Sequence, residues 1–293
     1  MFIDHCGRIG AAPPPRKGKL MSEKNAAALT ALVVAKAREF GADLAGIARV
    51  EDLKQSPSHL ISERMPAFAN VGAKVVEGRR PGQVDWPEGA KSAVVIAIEH
   101  PEDKPELDWW ILGTKSAAGN TPGNKLLIAA ANKLADWLEQ ELSMTCFRLP
   151  YHVELGAIYM KDAAVLAGLG CVGKNNLLVT PEYGPRQRLR VLLVDAELPP
   201  TGPSDFDPCR DCDMPCRAAC PMRAFKETLY RAEEYGFDQL PGRTGVYSRP
   251  RCSRIMDQAC EHYEPVQIEG QEEQGKLAKF CRECEFACPV GAR

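Results

Sequence analysis

Apolar residues recur along the chain in two rhythms. Over residues 23–40, Ala, Leu and Val fall at helical spacing, and Gly41 follows as a stop. Residues 43–50 (DLAGIARV) form a short apolar run of strand length. Residues 92–99 (SAVVIAIE) are β-branched and predict a buried strand. Residues 124–142 predict a long helix with Leu126, Leu127, Ala130, Leu134, Trp137 and Leu138 on its apolar face. A further helix is expected over 158–166 and a buried strand over 190–196 (RVLLVDA). Strands alternating with helices predict an α/β, or more loosely α+β, domain over residues 22–200. Pro199-Pro200-Thr201-Gly202-Pro203 is a stiff boundary, and residues 201–293 form a second unit. Residues 1–21, with the run AAPPPRKGKL, predict a disordered extension, which makes Met21 a candidate start.

Composition adds exclusions. Hydrophobic residues make up 45% and charged residues 26% of 293, the usage of a globular enzyme. A net charge of −2 gives no strong pull toward nucleic acid. The longest apolar run, residues 92–98, is strand-sized, so no membrane association is expected. No secretory signal opens the chain, and Arg79-Arg80 lies too far inside to serve a twin-arginine signal. A reducing cytoplasm is the expected compartment.

The cysteines change the picture most. Nine of twelve lie in the last third, and seven of those form two runs: Cys209-x2-Cys212-x3-Cys216-x3-Cys220-Pro221, and Cys281-x2-Cys284-x3-Cys288-Pro289. Such runs, each closing in Cys-Pro, hold cubane iron–sulfur clusters. Three thiolates on one loop can wrap a cube, but the fourth on the same loop reaches a second cluster instead. One cluster would then take Cys209, Cys212, Cys216 and Cys288. The other would take Cys220, Cys281 and Cys284 and needs one more ligand, which Cys252 or Cys260 can supply. Zinc also uses paired C-x2-C, but it does not call for two Cys-Pro runs. A disulfide framework does not suit a chain long enough to build a core without staples. A plain electron carrier is the main rival reading.

Outside the cysteines, residues 151–178 (YHVELGAIYMKDAAVLAGLGCVGKNNLL) stand out. Gly168, Gly170 and Gly173 permit sharp turns and a close approach of another molecule to the backbone. Lys174, Asn175 and Asn176 follow. No Ser or Thr follows the lysine, so this is not a phosphate-binding P-loop. The glycines satisfy G-x-G-x-x-G, but the run follows a helix where a dinucleotide site needs a strand. A glycine-rich helix stop is the plain alternative.

The order AGLGCVGKNNLL, CRDCDMPCRAACP, SRPRCSR, CRECEFACPVG resembles the epoxyqueuosine reductases and, more distantly, the reductive dehalogenases. The resemblance covers roughly residues 22–293 and is specific from 151 onward. It implies a nitroreductase-like cobalamin-binding domain joined to a bacterial-ferredoxin-like module with two 4Fe–4S clusters. It implies Cys252 as the missing ligand, leaving Cys260 a free thiol. It also carries over a proton donor: the family's Val-Asp pair, fourteen residues before the AGLG glycine, matches Val153-Glu154. Tyr151, His152 and Tyr159 are the secondary candidates, and the two tyrosines gain weight because the dehalogenases are similar in using a Tyr as the acid. Gly168, Gly170, Gly173, Lys174, Asn175 and Asn176 become the implied cofactor contacts.

The departures bear on substrate. Epoxyqueuosine reductases carry a further C-terminal helical-repeat region that helps grip tRNA, and this sequence ends at Arg293. DWWILGTKSAAGNTPGN replaces their Gly-Arg-Asp-Tyr-His segment, and Cys171 stands where they carry tryptophan. The expectation is a reductase of small substrates, cleaving C–O or C–X bonds, with tRNA not expected. Reduced ferredoxin or flavodoxin would feed electrons through the clusters to cobalamin. Three alternatives stand beside it: an electron-transfer protein that activates a partner corrinoid protein or methyltransferase, a flavin enzyme with FMN, and a true tRNA epoxyqueuosine reductase. His5, His59, His100, His262, Trp109-Trp110, Cys6, Cys146 and Cys171 receive no specific role.

Overall fold

The structure, a computed structural model, describes residues 23–64, 77–80, 82–113, 119–236, 243–270 and 272–291. The 1–21 extension, Met21 and Cys6 lie outside the described residues. In chain order the first region contains α1 (Glu23–Glu39), β1 (Leu44–Arg49), α2 (Val50–Lys54), α3 (Pro57–Ile61), β2 (Ser92–Glu99), β3 (Trp109–Leu112), α4 (Pro122–Leu142), β4 (Cys146–Arg148), α5 (Met160–Leu166), β5 (Cys171–Val172), β6 (Leu178–Val179) and β7 (Gln187–Val194). The second contains α6 (Pro215–Ala218), α7 (Ala232–Tyr235), α8 (Arg249–Glu261), β8 (Glu264–Val266), β9 (Gly275–Lys279) and α9 (Glu283–Phe286).

The main sheet runs β1-β2-β7-β4. Every neighbouring pair in it is antiparallel. Of the two fold descriptions expected, the looser α+β therefore holds. The residue pattern could not separate them. A central strand covered on both faces reads as a continuous apolar run whichever way its neighbours point. β2 is such a strand, buried from Ser92 to Ile98. On one face α1 and α4 bring Val33, Leu127, Leu134 and Leu138 against Ile47, Val94, Ile96 and Leu192. On the other, α2 and α5 bring Leu53, Ala163 and Ala164 against Ala48, Ala93, Val95 and Leu193.

The α4 prediction needs one correction: Leu126 is 53% exposed. The buried stripe is Leu127, Ala130, Ala131, Leu134, Ala135 and Leu138, and at 100° per residue Leu126 falls outside it. The helix also begins two residues earlier than expected. Thr121 caps it, accepting from the Asn124 backbone N–H at 3.1 Å, and Pro122 fills the first turn, where its missing N–H costs nothing.

The proline-rich segment 199–203 is pinned at Thr201. Thr201 Oγ1 donates to the Ala167 carbonyl at 2.6 Å and accepts from the Ile47 N–H at 2.9 Å. The cysteine-rich region beyond it is tied to the first in two ways. β3 pairs with β9 in the order β3-β9-β8, with Trp110 stacked on Phe280 at 5.9 Å. A buried charge network then joins β7 to the last cysteine run. Arg188 reaches Asp108 and Glu285, both at 2.9 Å. Arg282 reaches Glu285 at 2.9 Å and Asp108 at 3.1 Å. Asp108 also faces the fully buried His100 ring at 3.0 Å. Burial pushes the Asp108 carboxyl up, but the His100 contact with Arg188 and Arg282 outweighs it and holds the group below the usual carboxylate range.

Removing one member of a buried network strands the remaining charges. Asp108→Ala should lower unfolding free energy by about 3–5 kcal/mol, measured by denaturant titration. Arg148→Ala breaks only exposed contacts with Asp136 and Glu139 and should cost less than about 1 kcal/mol.

Candidate functional site

The fold brings the thiols together in two groups. Cys216 stands within electrostatic reach of Cys288, Cys209 and Cys212. Cys284 stands within reach of Cys252, Cys281 and Cys220. Burial pushes the Cys216 thiol up to about 11, with Cys288 adding to it, and burial likewise pushes up Cys284, Cys281 and Cys288. Crowded, buried thiols that resist ionisation as free groups are what a polycationic cluster would relieve. Backbone amides already point at the sulfurs: Met214 N–H donates to Cys212 Sγ at 3.4 Å and Ala224 N–H to Cys220 Sγ at 3.3 Å. Such amides tune a cluster's potential. Among the described residues no three His, Cys, Asp or Glu side chains converge on a single-ion site. A cubane is held from its outer corners and asks for wider spacing.

The short helices α6 and α9 each seat a cysteine run, and Met214 and Arg223 take left-handed backbone to turn the first one. α8 carries Cys252 in its first turn, where the capping Ser248 Oγ accepts from the Arg251 N–H. Cys260, near the other end of α8, lies against Tyr263 instead of the thiol group.

The 168–176 loop lies between the two groups. Lys174 Nζ donates to the Arg210 carbonyl at 3.2 Å, and Arg217 Nε donates to the Lys174 carbonyl at 2.6 Å. Asn175, 3% exposed, donates to the Cys284 carbonyl at 3.3 Å. Asn176 receives the Lys161 ammonium on its backbone and side-chain oxygens at 2.6 and 3.0 Å. Burial pulls Lys161 down to about 8. The loop glycines are required by the protein's own packing. A Cβ on Gly170 would stand 2.1 Å from the Val179 carbonyl oxygen, and one on Gly173 would stand 2.6 Å from the Val179 side chain. Gly168, at φ +76°, sits against Gly202. Cys171, given no role by the sequence, lies against Cys209, and its proximity holds that thiol below its ordinary value.

The expected acids are placed separately. Glu154 falls in the 3-10 turn Val153–Leu155, and its side chain lies outside the described residues. Tyr151 is 41% exposed and stands edge-on to His152 at 5.3 Å. Tyr159, 8% exposed, packs with Ile61 and Tyr230. A relay that the sequence did not reveal fixes its backbone. His59 Nε2 accepts from the Tyr159 N–H at 3.1 Å, so the ring proton sits on Nδ1 and is directed to Ser56 Oγ at 2.8 Å. Ser56 Oγ donates to Asp162 at 2.8 Å, and Ser58 adds two more bonds to the same carboxylate. Asp162 is 103 residues from His59, so no local spacing announces the pair.

The arrangement defines a class: a mixed helix-and-sheet fold in which two groups of four thiols flank one loop. No family model matches the chain. The chain is 28% identical over 210 residues to the tetrachloroethene reductive dehalogenase of Desulfitobacterium hafniense, covering 64% of this chain and 36% of that one. It is 30% identical over 166 residues to the epoxyqueuosine reductase of Vibrio cholerae, covering 57% of this chain and 39% of that one. It therefore spans less than half the length of either. A crystal structure of epoxyqueuosine reductase with a tRNA-Tyr epoxyqueuosine-modified stem loop superposes with a TM-score of 0.59 at 19% identity, over 91% of this chain and 66% of that one. The last likeness is one of fold alone. The chain is thus similar to epoxyqueuosine reductases and reductive dehalogenases.

Burial pulls His59 down to about 4 from 6.5, with Asp162 opposing. The unfolded chain then binds the ring proton more readily than the folded one. The stabilisation is full above pH 6.5 and fades as pH falls toward about 4. Urea midpoints should therefore drop more steeply over that window in the wild type than in His59→Asn.

Proposed function

We propose that this protein is an oxidoreductase that passes electrons through two 4Fe–4S clusters to a reducing centre beside Tyr151, Glu154 and Tyr159. One observation carries the reading: two groups of four thiols, drawn from sequence-distant runs, meet across one loop. Cys209, Cys212, Cys216 and Cys288 would hold one cluster. Cys220, Cys252, Cys281 and Cys284 would hold the other. A 201–293 ferredoxin-like module set against a 22–200 nitroreductase-like domain is the matching organisation.

Cobalamin is the reducing centre that the likeness to these reductases implies, and when bound it would supply the strong reductant. The contacts assigned to Gly168, Gly170, Gly173, Lys174, Asn175 and Asn176 rest on that likeness. In the fold, protein atoms fill the space at the three glycines, and the three polar side chains already have protein partners. The chain's own residues do the rest. The His59–Ser56–Asp162 relay fixes the Tyr159 backbone. Glu154, Tyr159 and Tyr151 are the groups that would deliver a proton to the reduced bond. Reduced ferredoxin or flavodoxin would supply electrons, in a reducing cytoplasm that keeps the thiols free.

Two substrate readings follow from the relatives. A small molecule cleaved at C–O or C–X accords with the dehalogenase likeness. An epoxyqueuosine-modified tRNA accords with the epoxyqueuosine reductase likeness, because that enzyme has been crystallised with such a stem loop. Turnover of the modified stem loop against tetrachloroethene, each with a chemical reductant, decides between them.

Anaerobically reconstituted protein should bind about eight irons, two clusters of four. Cys252→Ser should bind about four, while Cys260→Ser keeps about eight. Equal iron in the two variants would overturn the ligand assignment. Titration with cobalamin should change the corrinoid spectrum on binding; an unchanged spectrum removes the corrinoid and leaves the clusters. A yellow protein with retained FMN would favour a flavin enzyme, and a corrinoid retained only by a partner would favour the activator reading.

A further inference from the structure

β7 presents Arg188 and Arg190 on one face, because alternate residues of a strand point the same way, and Arg186 directly precedes the strand. The C-terminal run consumes Arg186 and Arg188. Arg186 donates to the carbonyls of Glu285, Cys288 and Val290. Arg188 pairs with Asp108 and Glu285. Arg190 has no such partner. Its hydrogen bond among the described residues runs from Nη2 to the Asn124 amide oxygen at 3.2 Å, and no described carboxylate pairs with it. Its Nε is closed off from solvent without an acceptor. The guanidinium lies over the Tyr151 ring at 5.4 Å, and that ring is 41% exposed.

A half-buried cation loses hydration, and one neutral amide does not replace it. Burial accordingly pulls the Arg190 guanidinium below its ordinary value, with Tyr151 opposing. Arg186 and Arg188 had carbonyls or carboxylates supplied to them; this one was left facing a tyrosine at the protein surface.

We propose that Arg190, framed by Tyr151 and Asn124, binds an oxyanion (a carboxylate or a phosphate) carried by the substrate. The planar guanidinium offers paired donors in the geometry that both groups accept, and the Tyr151 face keeps its plane fixed. Tyr151 lies three residues before Glu154, so an anion held here anchors a substrate beside the acids proposed above. The catalytic meaning rests on that reading; the binding does not.

The test is calorimetric titration of the full chain, reconstituted without oxygen, with inorganic phosphate and separately with benzoate, at an ionic strength held by chloride. At least one should bind saturably, and which one does distinguishes a phosphorylated substrate from a carboxylic acid. Arg190→Gln should weaken that binding by about tenfold or more, with Arg190→Lys in between, since a lysine keeps the charge and loses the paired donors. Arg190→Gln should also melt at the same temperature as the wild type or higher, because it removes an uncompensated charge. Saturable binding by neither anion, equal binding by Arg190→Gln, or a lower melting temperature for it would overturn the proposal. Because no turnover is read, failure here leaves the reductase reading intact, and failure of the iron content leaves the anion site intact.

Discussion

The buried pairing of Asp108, Arg188, Arg282 and Glu285 is the constraint on which the rest depends. Four charges withdrawn from water are tolerable only when each faces its opposite. Here each carboxylate meets two arginines and each arginine meets both carboxylates. The geometry allows one register between β7 and the last cysteine run. In that register Arg186 also receives the carbonyls of Glu285, Cys288 and Val290. Cys288 is thereby delivered to Cys209, Cys212 and Cys216, while Cys284 and Cys281 meet Cys220 and Cys252. The charge lock, through Arg282 and Glu285, sits inside the last cysteine run itself.

The 168–176 loop completes that assembly. It touches the first run through Lys174 and the second through Asn175, and it is tied to α5 through Asn176 and Lys161. α5 in turn carries Asp162, which holds the His59 relay under Tyr159. A continuous set of hydrogen bonds thus joins the cysteine runs to the backbone of Tyr159. The Ser56–Asp162 link is buried, where a hydrogen bond gains strength and an unpaired group is costly, and the others are part-buried or, at Lys174, exposed.

Much of the fold was legible because periodicity reports burial. Ser92–Glu99 emerged as a strand with the expected bounds, and α1 ended beside Gly41, which takes φ +108°. The α4 stripe was nearly right, with Leu126 misplaced because it lies about 100° round the helix from Leu127. Strand direction was not legible. The β2 run reads alike in a parallel or an antiparallel setting when helices cover both faces. The pairing of β3 with β9 was also hidden, since the two strands lie more than 160 residues apart and share no pattern.

For the site, the sequence by itself determined the thiol inventory and its arithmetic. Ligand spacing within a loop is a local property, so two runs with Cys-Pro ends already implied two groups and one missing member. The likeness of the SRPRCSR segment implied Cys252 for that place, and the fold sets it near Cys220, Cys281 and Cys284, with Cys260 at the other end of α8 against Tyr263. Only the tertiary structure gave His59 and Asp162 to each other, drew Cys171 to Cys209, and left Arg190 with no carboxylate partner among the described residues. Partnership between distant side chains is settled by packing and by the cost of burying charge, and neither quantity is written in the spacing of neighbours along the chain.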